Sequence, residues 1–187
     1  MKPLISVIIP TQARPRMLRD AIKSVRAQTM QDFEIIVVIN GSDNAHTVEA
    51  MAAAAGCKII RTAEAGIAVA LNAGIHAAQG EWVAFLDDDD FWQPDWLDVA
   101  LKSAAASGAD VIFSDPILFD ENGGTPNVPR RPPGHLSAKA AITLRNYAGG
   151  CSTTLAKRAA VTAIGGFDPA FVSPDWDMWM RLAWNYR

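Results

Sequence analysis

The chain has 187 residues, 50% of them hydrophobic and 20% charged, with a formal net charge of −3. That composition belongs to a globular domain with a sizeable core, and its acidic balance excludes a global basic footprint for nucleic acid. No window reaches the roughly 18 apolar residues of a membrane span. The opening MKPLISVIIP is too short for a secretory signal. Cys57 and Cys151 have no metal-ligand spacing, so the expected setting is reducing and intracellular, with a single disulfide left open.

In chain order, Leu4–Pro10 (LISVIIP) reads as a buried strand. Pro15–Gln28 follows as a helix, with Met17, Leu18, Ala21, Ile22 and Val25 on one stripe and Arg16, Arg19, Lys23 and Arg26 off it. Glu34–Asn40 (EIIVVIN) is a second strand, apolar throughout as a doubly covered strand should be. Asn44–Ala55 reads as a helix, Lys58–Arg61 as a strand and Ile67–Ala78 as a third helix. Trp82–Leu86 (WVAFL) is a fourth strand that runs into Asp87, Asp88, Asp89 and Asp90. Pro94–Ser107 is a helix closed by Gly108, and Asp110–Asp115 begins a fifth strand. Strand and helix alternating at this pace predict an α/β fold with a doubly wound, mainly parallel sheet flanked by helices. Ligands bind such sheets beyond the carboxyl ends of the strands. Thr11, then Asn40-Gly41-Ser42, then Asp87–Asp90 all fall at those ends, which predicts one shared cleft.

After Ile117 the character changes. Glu121-Asn122-Gly123-Gly124 is a turn signal, and residues 126–135 hold four prolines, two arginines (Arg130 and Arg131) and a glycine. That stretch reads as a loop, with the arginines able to close over an anion or to stay solvated. Beyond it come a short helix near Ala138–Asn146, a strand near Ser152–Leu155, a helix near Arg158–Ile164 and a last helix from about Asp175. The organisation expected is one domain over 1–187, with 117–187 a smaller mixed region.

Four consecutive carboxylates at a strand end repel one another, at a cost of several kcal/mol in a partly desolvated cleft. Full solvation relieves this, and so does a bound cation. Hard oxygen ligands without His or Cys select Mg²⁺ or Mn²⁺ over zinc. The alternative is an exposed acidic turn before the Pro94 helix, with Asp95 as its cap.

Five ordered blocks carry a resemblance. SVIIPT (Ser6–Thr11) with Arg14-Pro15, AQTMQDFEIIVV (Ala27–Val38) with Gly41-Ser42, ALNAGIHAAQGEWVAFLDDDDFWQP (Ala70–Pro94), GGFDP (Gly165–Pro169) and PDWDMWMRLA (Pro174–Ala183) together resemble the family-2 glycosyltransferases, whose catalytic domain has the GT-A fold. The resemblance implies an inverting transfer from a nucleotide-diphosphate sugar to a hydroxyl of a saccharide or lipid-linked acceptor, with Mn²⁺ or Mg²⁺ as cofactor. It makes Asp87-Asp88-Asp89 the Asp-x-Asp motif, with Asp89 and Asp87 toward the metal. It places donor contacts at Pro10, Thr11, Arg14, Asn40, Ser42, Asn72, Asp87 and Asp88, and the general base at Asp175. It assigns 1–116 to the donor and 117–187 to the acceptor side. Relatives often work at the cytoplasmic membrane face, so a cytoplasmic enzyme with peripheral attachment there is one expectation; no feature sets an oligomeric state.

The chain departs from the family's pattern at Gln12 and Ala13, at Ile39-Asn40, where two aspartates are usual, at Leu71 and at Pro174. A non-catalytic nucleotide-sugar binding module therefore stays open, and so, with less support, does a sugar nucleotidyltransferase. Asp175 also has a local reading. Ser173 reads as an N-cap, Pro174 as the first helical residue and Asp175 as a dipole-favoured acid. Asp177 and Arg181, four apart, read as a surface pair. Trp176 and Trp179 read mostly as core, with a sugar-stacking platform as the other use. Gly149-Gly150-Cys151 could line the acceptor side.

Overall fold

The computed structural model describes residues 2–41, 45–120, 123–125 and 137–187. Ser42, the Glu121-Asn122 turn and the proline-rich stretch with Arg130 and Arg131 lie outside them.

Five strands and four helices come first: β1 (Ile5–Thr11), α1 (Pro15–Arg26), β2 (Phe33–Asn40), α2 (Ala45–Ala54), β3 (Lys58–Thr62), α3 (Ile67–Ala77), β4 (Trp82–Phe85), α4 (Trp96–Ser107) and β5 (Val111–Phe113). A short hairpin of β6 (Leu118–Asp120) and β7 (Gly123–Thr125) follows, where only a loop was expected. Then come α5 (Ala138–Leu144), a 3₁₀ turn at Cys151–Thr153, β8 (Thr154–Lys157), α6 (Arg158–Ala163) and α7 (Pro174–Asn185).

The main sheet has the order β3-β2-β1-β4-β8-β5. Strands β1 to β4 are parallel, and β8 inserts antiparallel between β4 and β5. The chain therefore winds outward from β1 to β3 on one side and returns to β4 on the other. This reversal puts a switch point between β1 and β4, where an α/β sheet opens a crevice at its carboxyl edge.

Both faces of the sheet are covered, as the continuous apolar strands require. Val7, Ile9, Val37, Ala84 and Leu86 pack toward α1, α2 and α4. Ile8, Ile36, Val38, Val83 and Phe85 pack toward α3, α6 and α7. On α1 the buried residues are Leu18, Ala21, Ile22 and Val25, and each of the three larger ones contributes about 1.5–3 kcal/mol by leaving water. A Cβ on Gly74 of α3 would collide with the Ile8 side chain, so this helix sits on β1 at a distance only glycine allows.

Several local expectations need correction. Helix α1 stops at Arg26 because Gln28 is used elsewhere. Buried to 2% exposure, Gln28 accepts the Leu97 N–H through Oε1 at 2.9 Å and donates from Nε2 to the Gln93 carbonyl at 2.7 Å. It thereby caps α4, which starts at Trp96; Asp95 stands at the cap position without a side-chain cap bond. Ser173 likewise precedes α7 without capping it through its side chain. The segment at Ser152 bends before β8 begins, since the Thr153 hydroxyl donates to the Ala148 and Gly150 carbonyls. Both cysteines are free.

Candidate active site

The carboxyl ends of β1, β2 and β4 open on one cavity of about 380 Å³. Pro10, Thr11, Arg14, Asn40, Asp87, Asp88 and Asp89 line it together with Gln12 and Ile67. The shared cleft expected from the strand ends is present.

The four aspartates are not equivalent. Asp88 is buried to 1% exposure, Asp87 is half-buried, and Asp89 and Asp90 are exposed. Asp88 accepts hydrogen bonds from the Thr11 hydroxyl and from two nitrogens of Arg14, the Nε contact being 3.2 Å. Arg14 also reaches Asp89 from Nη1 at 3.0 Å. Part of the repulsion in the run is thus relieved from within the chain, by a guanidinium, in a way the sequence reading did not anticipate. The hydrogen bond to Asp88, helped by both carboxylate charges, raises the Arg14 pKa above its ordinary value.

Asp87 has no such partner. Its backbone N–H donates to Ser152 Oγ at 2.9 Å, while its carboxyl group is pushed up to about 6, first by burial and then by Asp90, Asp89, Asp88 and Asp175. Strand alternation accounts for the contrast. Asp88 follows the parity of Trp82, Ala84 and Leu86, which face α1 and α4. Asp87 follows Val83 and Phe85, which face α7.

Asp175 lies in the first turn of α7, half-buried. Its charge acts on Asp87 and also on Cys151, whose buried thiol is raised well above its ordinary value by burial, then by Asp87 and Asp175. The fold therefore brings Asp175 to the aspartate run across some ninety residues of chain. Helix α7 is held by Trp179, wholly buried against Phe85 and Phe167, and by the Trp176 indole N–H on the Ile142 carbonyl at 2.7 Å. The expected surface pair of Asp177 and Arg181 is instead an internal brace. Asp177 is 7% exposed, and Arg181 also donates to the Ile164 and Gly166 carbonyls at 2.8 and 2.7 Å.

Asn72 takes a different place from the one the resemblance implied. It is not among the residues lining the cavity. Its amide donates to the Phe167 carbonyl at 2.7 Å and accepts the Phe167 N–H at 2.9 Å. At Gly166, φ is +72° and a Cβ would strike that amide, so GGFDP is a docking segment for α7.

Sequence reasoning missed Ser152, Trp92 and the strain at Ala13. Trp92 donates its indole N–H to the Ser152 carbonyl at 2.7 Å and stacks on Trp96 with ring centroids 4.3 Å apart. This fixes the Ser152 hydroxyl under Asp87. Ala13, just before Arg14, has φ of +60°, a conformation costing a residue with a Cβ about 1–2 kcal/mol. The departure from the family's pattern at Ala13 was the available signal. Among the described residues no group of three or more His, Cys, Asp and Glu converges as a metal site, and no helix is long and apolar enough to cross a membrane.

The model of glycosyl transferase family 2 matches residues 6–164. An uncharacterized glycosyltransferase of Rickettsia felis is 30% identical over 189 residues, which cover 96% of this chain and 31% of that protein. The curated relatives matched first are much longer, and the chain spans about a third of their length. Among solved structures, S. aureus TarS 1–349 in complex with UDP-GlcNAc aligns with a TM-score of 0.79 at 20% identity, over 100% of this chain and 54% of that one. Mannosyltransferase PcManGT from Pyrobaculum calidifontis, in complex with GDP-Man and Mn²⁺, gives 0.74 at 21% identity with the same two coverages. These likenesses establish the shared fold. With the family model covering most of its length, and the aspartate run and Asp175 meeting at one cavity, the chain belongs to glycosyl transferase family 2.

Proposed function

We propose that the protein is an inverting, divalent-metal-dependent glycosyltransferase acting on a nucleoside-diphosphate sugar, with Asp175 as general base. The observation that carries this reading is the meeting of Asp175 with the Asp87 carboxyl group, on elements that nothing but the fold brings together. Both structural neighbours are named for donors of this class, UDP-GlcNAc and GDP-Man, which differ in base and sugar but share the diphosphate.

The donor set fits Mg²⁺ or Mn²⁺. Such ions are held by one or two carboxylates plus substrate phosphates, with no need of a full protein cage. Asp88 is committed to Thr11 and Arg14, which leaves Asp87 and Asp89 for the ion. When bound, the ion would neutralise charge on the departing nucleoside diphosphate. Arg14, already between Asp88 and Asp89, is placed to turn a donor toward a phosphate oxygen. Asp175 would take the proton of the acceptor hydroxyl as its oxygen forms the new bond to the anomeric carbon. The bond from that carbon to the diphosphate breaks on the opposite side, so configuration inverts. Residues 1–116 would hold the donor and 117–187 the acceptor, a saccharide or lipid-linked alcohol.

A panel of nucleotide sugars with Mn²⁺ tests this. Metal-dependent binding with slow donor hydrolysis, lost in Asp175→Asn, is expected. Binding without turnover on any acceptor would instead make the protein a nucleotide-sugar binding module. Preference for a nucleoside triphosphate plus sugar phosphate would make it a nucleotidyltransferase.

A further inference from the structure

Asn40 is held in one orientation. The Gly66 backbone N–H donates to its Oδ1 at 3.0 Å, and the Thr62 hydroxyl approaches the same oxygen at 3.4 Å. A backbone N–H cannot accept, so the oxygen faces Gly66 and the Nδ2 group faces away from it. Asn40 lines the cavity while only 4% exposed, and its Nδ2 donates to no other described residue. Among the described residues, the sealed and unpartnered side-chain atoms are Thr154 Oγ1 and Trp179 Nε1. The Asn40 Nδ2 therefore opens toward the cavity as a donor.

Its position tells what it would meet. Strand β2 lies on one side of β1 and β4 on the other, so Asn40 and the carboxylates stand two strand spacings, about 10 Å, apart. That is the reach of a nucleotide from phosphate to base. With the diphosphate at Asp87 and Asp89, as proposed above, the base falls at Asn40 and Ile67. Thr11 is committed to Asp88, and Gln12, exposed at the rim, can turn either end of its amide inward.

We infer that Asn40 reads the nucleobase as a fixed donor. The cavity therefore favours a base whose pairing-edge ring nitrogen accepts a hydrogen bond, cytosine or adenine. It disfavours uracil and guanine, whose corresponding nitrogen carries a hydrogen. Setting that N–H against the Asn40 N–H leaves two donors unpaired, which costs binding.

Calorimetric titration of CDP, ADP, UDP and GDP with Mn²⁺ decides the matter, using wild type and Asn40→Asp. One carboxylate oxygen of the variant still accepts from Gly66, and the other turns the reading group into an acceptor. CDP or ADP should bind wild type on the order of tenfold tighter than UDP or GDP, and N40D should reverse that ranking. The CDP and ADP arms separate a pyrimidine from a purine site. Equal binding of all four, a wild-type preference for UDP or GDP, or the same ranking in both proteins overturns the inference. Inorganic pyrophosphate with Mn²⁺ separates the two layers of the reading. If pyrophosphate binds wild type and the bases are not ranked, the base inference alone fails. If neither pyrophosphate nor any nucleotide binds, the diphosphate reading fails with it. Should N40D not fold, the wild-type ranking decides by itself.

Discussion

The cavity has two unlike ends. At the β4 end, charge dominates: Asp88 is neutralised by Arg14, while Asp87 is left with a raised pKa and Asp175 as a neighbour. At the β2 end no described lining residue is charged, and Asn40 contributes one hydrogen-bonding sense fixed by Gly66. The contrast teaches a division of labour. Strong, weakly directional charge suits a diphosphate and its ion, common to all donors of the class. A single oriented amide suits the part that differs among donors.

The largest expected effect falls on turnover at the charged end. Asp175→Asn should lower the transfer or donor-hydrolysis rate by roughly 10²- to 10⁴-fold with donor binding spared, measured by release of nucleoside diphosphate. A weakened donor affinity with unchanged rate would make Asp175 part of the binding surface instead.

Next is the pH dependence of stability. The folded-state value of Asp87 is raised to about 6, so its protonated form favours the fold. The contribution is fully present below the unfolded-state value near 4 and is lost as pH rises through 6. Between those limits metal-free protein should lose up to about 3 kcal/mol in urea unfolding. Asp87→Asn, which resembles the protonated acid, should flatten that slope. An unchanged slope would show that Asp87 is not the strained carboxylate.

Removing the internal cation should cost somewhat less. Arg14→Ala leaves Asp88 buried with Thr11 as its remaining partner, and about 2 kcal/mol of stability should go, a value lowered because Arg14 is itself half exposed. The double variant with Asp88→Asn should recover most of it. The smallest effect is expected at Ala13, whose φ of +60° aims Arg14. Ala13→Gly should stabilise the protein by about 1 kcal/mol, read as a raised Tm.

What was legible in the sequence follows a physical division. Apolar runs and helical stripes are local, so β1 to β4 and α1 to α4 were readable to within a few residues. The strand ends then placed Thr11, Asn40 and Asp87–Asp90 around one crevice, through the general geometry of such sheets. The partners of those residues were not readable, because each comes from far along the chain. Arg14 meets Asp88 across 74 residues, Gln28 caps α4 across 69, and Asn72 holds Phe167 across 95. Residue type alone also left open which aspartate is buried. The alternation of Trp82, Ala84 and Leu86 against Val83 and Phe85 held that answer, once each strand face could be matched to its helices. Asp177 and Arg181 were misjudged as a surface pair because an i,i+4 spacing says nothing about what covers the helix.

The account turns on a divalent ion shared between Asp87, Asp89 and a donor diphosphate. Its most direct test is calorimetric titration of the preferred nucleoside diphosphate into wild type and Asp89→Ala, each with and without Mn²⁺. Wild type should bind at least about tenfold more tightly with the ion, and D89A should show the weak affinity in both conditions. Identical, ion-independent binding by the two proteins would contradict it.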